Sequence, residues 1–391
     1  MPTQKINMPT QMRAAMANLL TKEIYVSMLP MIKARPGLCV CKTLACGICG
    51  TDLHTLLNGV NNDWTTNLTM LGGENVDPAK PCCFGHEFVA EICEIHESDT
   101  GPDARRNTKK LQLKDRVVTV PMSLDRNGKP TTLGYSNDLE MVGGFAEYVL
   151  LPINTCIKVP DHVPNEIAAL TEPMSVAHHA VLESNILLQP NYETIVPIVI
   201  GLGPVGLAVT AVLKAYGMNN IIGSDFANGR RALGNKLGAN ISVDPKNKED
   251  PFITYQQTIK SLVKAKGTKN EINTTCFVFE CVGVPGMIQN IIETCPTKAN
   301  VTVVGVCMTE DTFRPTKAII KQVTLKFVLA YSAEEFAQTF KMICDGSLQC
   351  EDMVTGRVGL NGVREAFDIL AKPNVHAKIL VIPGENIESK L

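Results

Sequence analysis

Four short segments of this 391-residue chain carry side chains fit for chemistry. The first is Cys46-Gly-Ile-Cys49, followed directly by Gly50-Thr51-Asp52-Leu53-His54; the others are Gly85-His86-Glu87, Glu172-Pro173 and Gly201-Leu-Gly-Pro-Val-Gly206. A C-x-x-C pair can be half of a zinc knuckle or a redox dithiol. A four-cysteine zinc site needs a second C-x-x-C, and the chain has none, since Cys39/Cys41 and Cys82/Cys83 have other spacings. The redox alternative needs the pair at the start of a helix after a strand, which the local sequence permits.

The glycine segment follows an apolar strand and opens a helix, as a dinucleotide-binding turn requires. Gly201 allows the tight turn, Gly203 lets the backbone approach a pyrophosphate, and Gly206 lets helix pack on strand. Pro204 and Val205 lie on the same turn, at a helix N-terminus whose free N–H groups favour phosphate. Asp225 ends the next strand. A carboxylate there accepts from the ribose hydroxyls and repels a 2′-phosphate, so NAD is expected rather than NADP. Arg230 and Arg231 would favour NADP if Asp225 turned away.

Taken in order, Gly47-Ile-Cys-Gly-Thr-Asp-Leu-His54, Gly85-His-Glu87, Glu172-Pro173 and the glycine turn resemble the zinc-dependent medium-chain dehydrogenase/reductase (alcohol dehydrogenase) superfamily. Within it the chain looks like the sorbitol/polyol-dehydrogenase-like branch, from about Met12 to about Pro383. The resemblance implies an α/β protein: a GroES-like β-barrel catalytic domain plus a Rossmann domain with a doubly wound parallel sheet. It implies Cys49, His86 and Glu87 as ligands of one catalytic Zn²⁺, and Glu172 as the carboxylate that holds or replaces the zinc-bound water. Thr51 and His54 would form a proton relay, Asp52 would brace the loop, and Cys46 is expected as a small buried side chain. Asp225, Arg230, Val282, Val304 and Val306 would join the glycine turn in binding the coenzyme. The implied reaction is reversible oxidation of a small secondary alcohol or polyol, a zinc-bound alkoxide giving hydride to nicotinamide. The implied assembly is a dimer or tetramer through edge strands of the coenzyme domain.

Three alternatives are weighed against this. An NADP-linked sugar or threonine-type dehydrogenase would share the superfamily. A zinc-independent quinone or enoyl reductase lacks the cysteine, His-Glu and relay pattern found here. A non-catalytic NAD-binding protein on this fold would have no need of the complete ligand set. The chain also departs from its relatives. No cysteine lies between Cys93 and Cys156, so the four-cysteine structural zinc site of many relatives is not expected, and 120–144 reads as a plain loop. Phe327-Val-Leu-Ala330 lacks the arginine of sorbitol dehydrogenases, which speaks against sorbitol. The insertion from Asn58 to Pro81, with Trp64, falls where a substrate wall would form.

The elements that must position these groups are legible as apolar runs. Glu23 to Met28, Leu38 to Leu44, Phe88 to Ile95 and Arg116 to Val120 suggest an antiparallel domain. Beyond Pro173, helix Ala177–Leu188, strand Ile195–Ile200, helix Gly206–Tyr216, strand Ile221–Ser224, helix Gly229–Leu237 and strands Cys276–Glu280 and Val301–Val306 alternate as in a parallel sheet. Helices Glu334–Cys344 and Val363–Ala371 and strand Lys378–Ile382 follow. The expected division is 1–176 catalytic, 177–327 coenzyme-binding and 328–391 returning to the catalytic domain.

Composition agrees. The chain is 45% apolar and 19% charged, and 37 basic against 39 acidic residues leave a net charge of −2, with no footprint for nucleic acid or a membrane surface. Thr194 to Leu213 is uncharged, but Pro197, Gly201, Gly203, Pro204 and Gly206 read it as strand, turn and helix rather than a membrane span. The N-terminus lacks the apolar core and cleavage site of a secretory signal. A cytoplasmic protein is therefore expected, its 14 cysteines mostly reduced and packed.

Overall fold

Leu38–Gly47 is an almost unbroken run of small apolar and β-branched residues, so it can be buried on both faces, and it forms a central strand. The computed structural model describes residues 4–58, 76–100, 107, 109–266, 272–372 and 376–384. Trp64 and most of its insertion lie outside the described residues. The chain divides into two units, one up to Glu172 with a return from Val354, the other Pro173–Met353.

In the first unit the strands are β1 (Gln4–Lys5), β2 (Gln11–Asn18), β3 (Glu23–Pro30), β4 (Leu38–Gly47), β5 (Glu87–Ile95), β6 (Arg116–Val118), β7 (Met122–Leu124), β8 (Pro130–Thr132), β9 (Tyr148–Pro152) and β10 (Ile157–Lys158). Helix α1 (Gly50–Asn58) follows β4 directly. β4 pairs antiparallel with both β5 and β9, while β2–β3 and β7–β8 form hairpins. The stretch expected as a plain loop thus contains a hairpin. Asp125 Oδ1 accepts from the N–H groups of Asn127 and Lys129 at 2.8 and 2.7 Å, and Gly128 takes φ +78°. Asn127-Gly128 is a turn signal of the kind that closes hairpins.

The second unit alternates strand and helix: β11 (Ile198–Ile200), β12 (Ile222–Ser224), β13 (Ile241–Val243), β14 (Phe277–Glu280), β15 (Asn300–Val303) and β16 (Thr324–Phe327), all parallel, in the order β13-β12-β11-β14-β15-β16. Its helices are α2 (Thr171–Glu183, entering from the first unit), α3 (Pro204–Ala215), α4 (Asn228–Leu237), α5 (Pro251–Lys266), α6 (Met287–Thr294), α7 (Pro315–Lys321) and α8 (Ala333–Cys344). The sheet is doubly wound. Strand order reverses at β11, and open α/β sheets bind ligands at the carboxyl ends of strands beside such a reversal. Ile198, Ile222, Val278 and Val301 fill its core. No described helix is long and apolar enough to cross a membrane, and Thr194–Leu213 is strand, turn and helix.

The return to the first unit comes at Val354 rather than at 328. Helix α8 holds it back: Phe336, Phe340 and Ile343 are buried, and Thr339 is hydrogen-bonded at 2.8 Å to His178 of α2. The chain then forms β17 (Val354–Val358), α9 (Val363–Leu370) and β18 (Lys378–Val381). β18 pairs with β17 and lies antiparallel to β4, with Leu380 opposite Gly47.

Candidate active site

Four neighbouring chain segments build a buried cluster in the first unit. The end of β4 and the first turn of α1 bring Cys49, Thr51 and Asp52; the start of β5 brings His86 and Glu87; β18 brings Lys378. One ligand atom each from Cys49, His86 and Glu87 lies within 4.8 Å of the others. Cys49 is half-buried and directly precedes α1. The Thr51 N–H points at its sulfur from 3.5 Å, and Thr51 Oγ1 stands 3.6 Å away.

Glu87 needs room, and β4 gives it. Gly47 pairs with Glu87 in the ladder, and a Cβ on Gly47 would lie 2.1 Å from Glu87 Oε2. Across the carboxylate stands Lys378, 1% exposed, whose Nζ lies 2.7 Å from both oxygens. It donates to Oε1 and, at 3.1 Å, to the Ile48 carbonyl. Burial opposes its charge, yet Glu87 and then Cys49 outweigh burial and hold the ammonium pKa above the usual lysine value. Glu87 Oε2 is buried without a hydrogen bond of good geometry. A cysteine sulfur, an imidazole and a carboxylate form a donor set suited to zinc.

Behind His86 lies a polar network. Asp52, fully buried, accepts from the Cys49 N–H at 3.0 Å and from the Tyr135 hydroxyl at 2.8 Å, and its Oδ1 lies 3.4 Å from His86 Nδ1. Burial disfavours charge on His86, but Asp52 and Cys49 override it and raise its pKa well above the imidazole norm. His54 lies on the exposed side of α1, where partial desolvation lowers its pKa. Glu172, in the first turn of α2, is not among the three converging ligands; its charge still reaches the buried Tyr135 and Lys378. Cys46 is fully buried, with its sulfur 3.6 Å from the Gly47 carbonyl.

In the second unit Gly201 has φ +88°, and a Cβ there would lie 2.7 Å from Val282 Cγ2. On Gly206 it would lie 1.8 Å from the Gly201 carbonyl, while above Gly203 nothing stands within 4 Å. The turn is therefore tight below and open above, as a pyrophosphate site requires. Helix α3 begins at Pro204, two residues before the expected start, because Gly203 already serves as its N-cap. Asp225 does not turn away. Its Oδ2 accepts from the Leu202 N–H of the turn at 2.8 Å, its Oδ1 from Ala227 at 2.7 Å, and Arg230 lies 3.9 Å off. Arg231 is committed to the Asp225 carbonyl and to Asp244, each at 2.7 Å.

At the carboxyl edge of β14 and β15, Val282 and Val306 are exposed, and Val304, 7% exposed, lines the same cavity as Val306. Glu280, unremarked in the sequence, ties these loops together. Its Oε1 accepts from Val282 and Gly283, and its carbonyl from Val304 and Gly305, all within 2.9 Å. Lys378, for which the sequence suggests only a position at the domain cleft, and Tyr135 join the cluster as well. A lysine inside the apolar run Ala377–Val381 was the available sign of a buried partner; Tyr135 left none.

Residues 35–161 match the alcohol dehydrogenase GroES-like domain model, and 204–345 the zinc-binding dehydrogenase model. The chain is 28% identical over 375 residues to a (R,R)-butanediol dehydrogenase of Bacillus subtilis, covering 93% of this chain and 97% of that one. It is 24% identical over 365 residues to an L-threonine 3-dehydrogenase of Chelativorans sp., covering 92% and 95%. The crystal structure of 2R,3R-butanediol dehydrogenase from Bacillus subtilis superposes with a TM-score of 0.73 at 27% identity, over 95% of this chain and 99% of that one.

Proposed function

The chain belongs to the zinc-dependent medium-chain dehydrogenase/reductase superfamily and is an oxidoreductase of its alcohol and polyol type, and from that premise we propose a finer reading. It holds one catalytic zinc at Cys49, His86 and Glu87 and oxidises a small secondary alcohol or polyol to the ketone, reversibly, with NAD. The observation that carries this is the convergence of those three donors within 4.8 Å, the carboxylate held in place by the buried Lys378.

Zinc bound there supplies a Lewis acid that lowers the pKa of a hydroxyl, toward ~7 for water. The protein's own groups supply the rest. Thr51, with its hydroxyl beside the Cys49 sulfur, and His54, one turn outward on α1, form the route by which the substrate proton leaves. The lowered pKa of His54 keeps its ring neutral and able to accept that proton at pH 7. Glu172 contributes a nearby carboxylate that orders the substrate side of the cluster. Asp225, anchored to the glycine turn, supports NAD over NADP, with Gly201, Gly203, Pro204, Val205 and Gly206 on the pyrophosphate and Val282 and Val306 toward the nicotinamide end.

Exposed Ile319 and Ile320 on α7, beside the edge strand β16, support self-association into a dimer or tetramer. The relatives' names set the first substrates, 2,3-butanediol and L-threonine, followed by a polyol panel. We expect one zinc per chain and NAD-dependent turnover of at least one of these. Cys49→Ser should abolish turnover and zinc retention while sparing NAD binding. No zinc in protein purified without chelator would overturn the reading.

A further inference from the structure

Tyr135 comes from the segment between β8 and β9, far in sequence from both His86 and Asp52, yet its hydroxyl reaches both. It is 4% exposed, and its ring packs against those of Phe84 and His86, with centroids 5.9 and 5.5 Å apart. The close approach depends on Gly134, whose φ is +90° and where a Cβ would lie 3.1 Å from the Gly85 nitrogen.

We propose that Tyr135 is a positioning residue for the metal-binding histidine: its hydroxyl fixes His86 as the Nδ1–H tautomer and so leaves Nε2 for the metal. The hydroxyl donates to Asp52 Oδ1 at 2.8 Å, so its proton is spent there. What it turns toward His86 Nδ1, 3.2 Å away, is an oxygen lone pair. Asp52 Oδ1 presents a second acceptor to the same nitrogen at 3.4 Å. An unprotonated Nδ1 would face two acceptors and no donor, whereas a protonated one donates to both. The ring nitrogen left with a free lone pair is then Nε2. Metal-ligating histidines are commonly oriented by an acceptor on the other nitrogen, and loss of such a partner weakens metal binding about 10- to 100-fold. Here the oriented pair becomes a triad, and the added member comes from a segment with no ligand of its own.

The inference rests on zinc binding at Cys49, His86 and Glu87, and the test separates the two. Tyr135→Phe keeps the ring and removes only the hydroxyl. Zinc affinity is measured by chelator competition on the unaltered chain and the variant, and the electronic spectrum of each is recorded after cobalt substitution. The expected result is about a tenfold or greater loss of zinc affinity and a shifted cobalt spectrum, in a chelated variant whose circular dichroism matches that of the unaltered chain. Equal affinities, within twofold, would overturn the inference while leaving the zinc reading intact. An unaltered chain that binds no zinc would instead overturn the zinc reading. As a check that needs no variant, ¹⁵N spectra of histidine-labelled, zinc-loaded protein should show His86 with a protonated Nδ1 and a metal-bound Nε2. Metal on Nδ1 would overturn the proposal even if the variant fails to fold.

Discussion

Lys378 and Glu87 set the balance of charge at the centre of the first unit. Each is 1% exposed, and their charges are 2.7 Å apart. Breaking a buried pair by removing one partner leaves the other charge uncompensated, at a cost of roughly 3–5 kcal/mol. Lys378→Met should therefore lower stability by about that amount in chemical denaturation after chelation. Adding Glu87→Gln should restore most of the loss, because the stranded carboxylate is then gone. Equal losses in the single and double variants would show that the lysine contributes packing rather than charge balance. The same pairing bears on the metal site, since the ammonium stands 2.7 Å from both oxygens of the carboxylate that would serve as a ligand.

At the level of elements, the second unit is fastened by a histidine with no part in the chemistry. His178 on α2 is 1% exposed and joins Thr339 of α8 at 2.8 Å to Tyr216, just after α3, at 2.7 Å. Thr339 donates its hydroxyl proton to the Glu335 carbonyl, so His178 Nδ1–H donates to Thr339 and Nε2 accepts from Tyr216. Only neutral imidazole can do both. Burial, the largest influence, holds its pKa below the ordinary value. A folded-state pKa below the unfolded one means the bond's stabilisation is present above about pH 6.5 and is lost as pH falls through the lower folded value. The melting temperature should fall between pH 7 and pH 5, and His178→Gln should flatten that dependence. An unchanged slope in the variant would place the titration elsewhere. This fastening is also why the coenzyme unit extends to Met353, past the boundary at 327 that the apolar pattern suggested.

For the molecule as a whole, β16 is one of the two edges of the six-stranded sheet, and Ile319 and Ile320 on the helix preceding it are 73% and 74% exposed. Open edges and apolar patches invite pairing with another chain. Light scattering should give the mass of a dimer or tetramer, and Ile319→Lys with Ile320→Lys should reduce it. A single-chain mass for the unaltered protein would refute the self-association.

The sequence by itself determined the alternation of strand and helix in the second unit and the glycine turn, which are local properties: apolar periodicity and glycines where a Cβ would collide. The groups around Cys49 were legible only through the ordered motifs and the family they resemble. Tertiary structure alone decided the rest. Lys378 meets Glu87 because β18 lies against β4, which lies against β5, and no spacing along the chain encodes that ladder. Tyr135 reaches His86 because Gly134 lets a distant segment pass close to Gly85. Glu172 stays outside the three converging ligands, although the family resemblance implied a place at the metal. Which carboxylate meets which charge depends on how strands pair across hundreds of residues, and pairing energy is shared among contacts that no single segment contains.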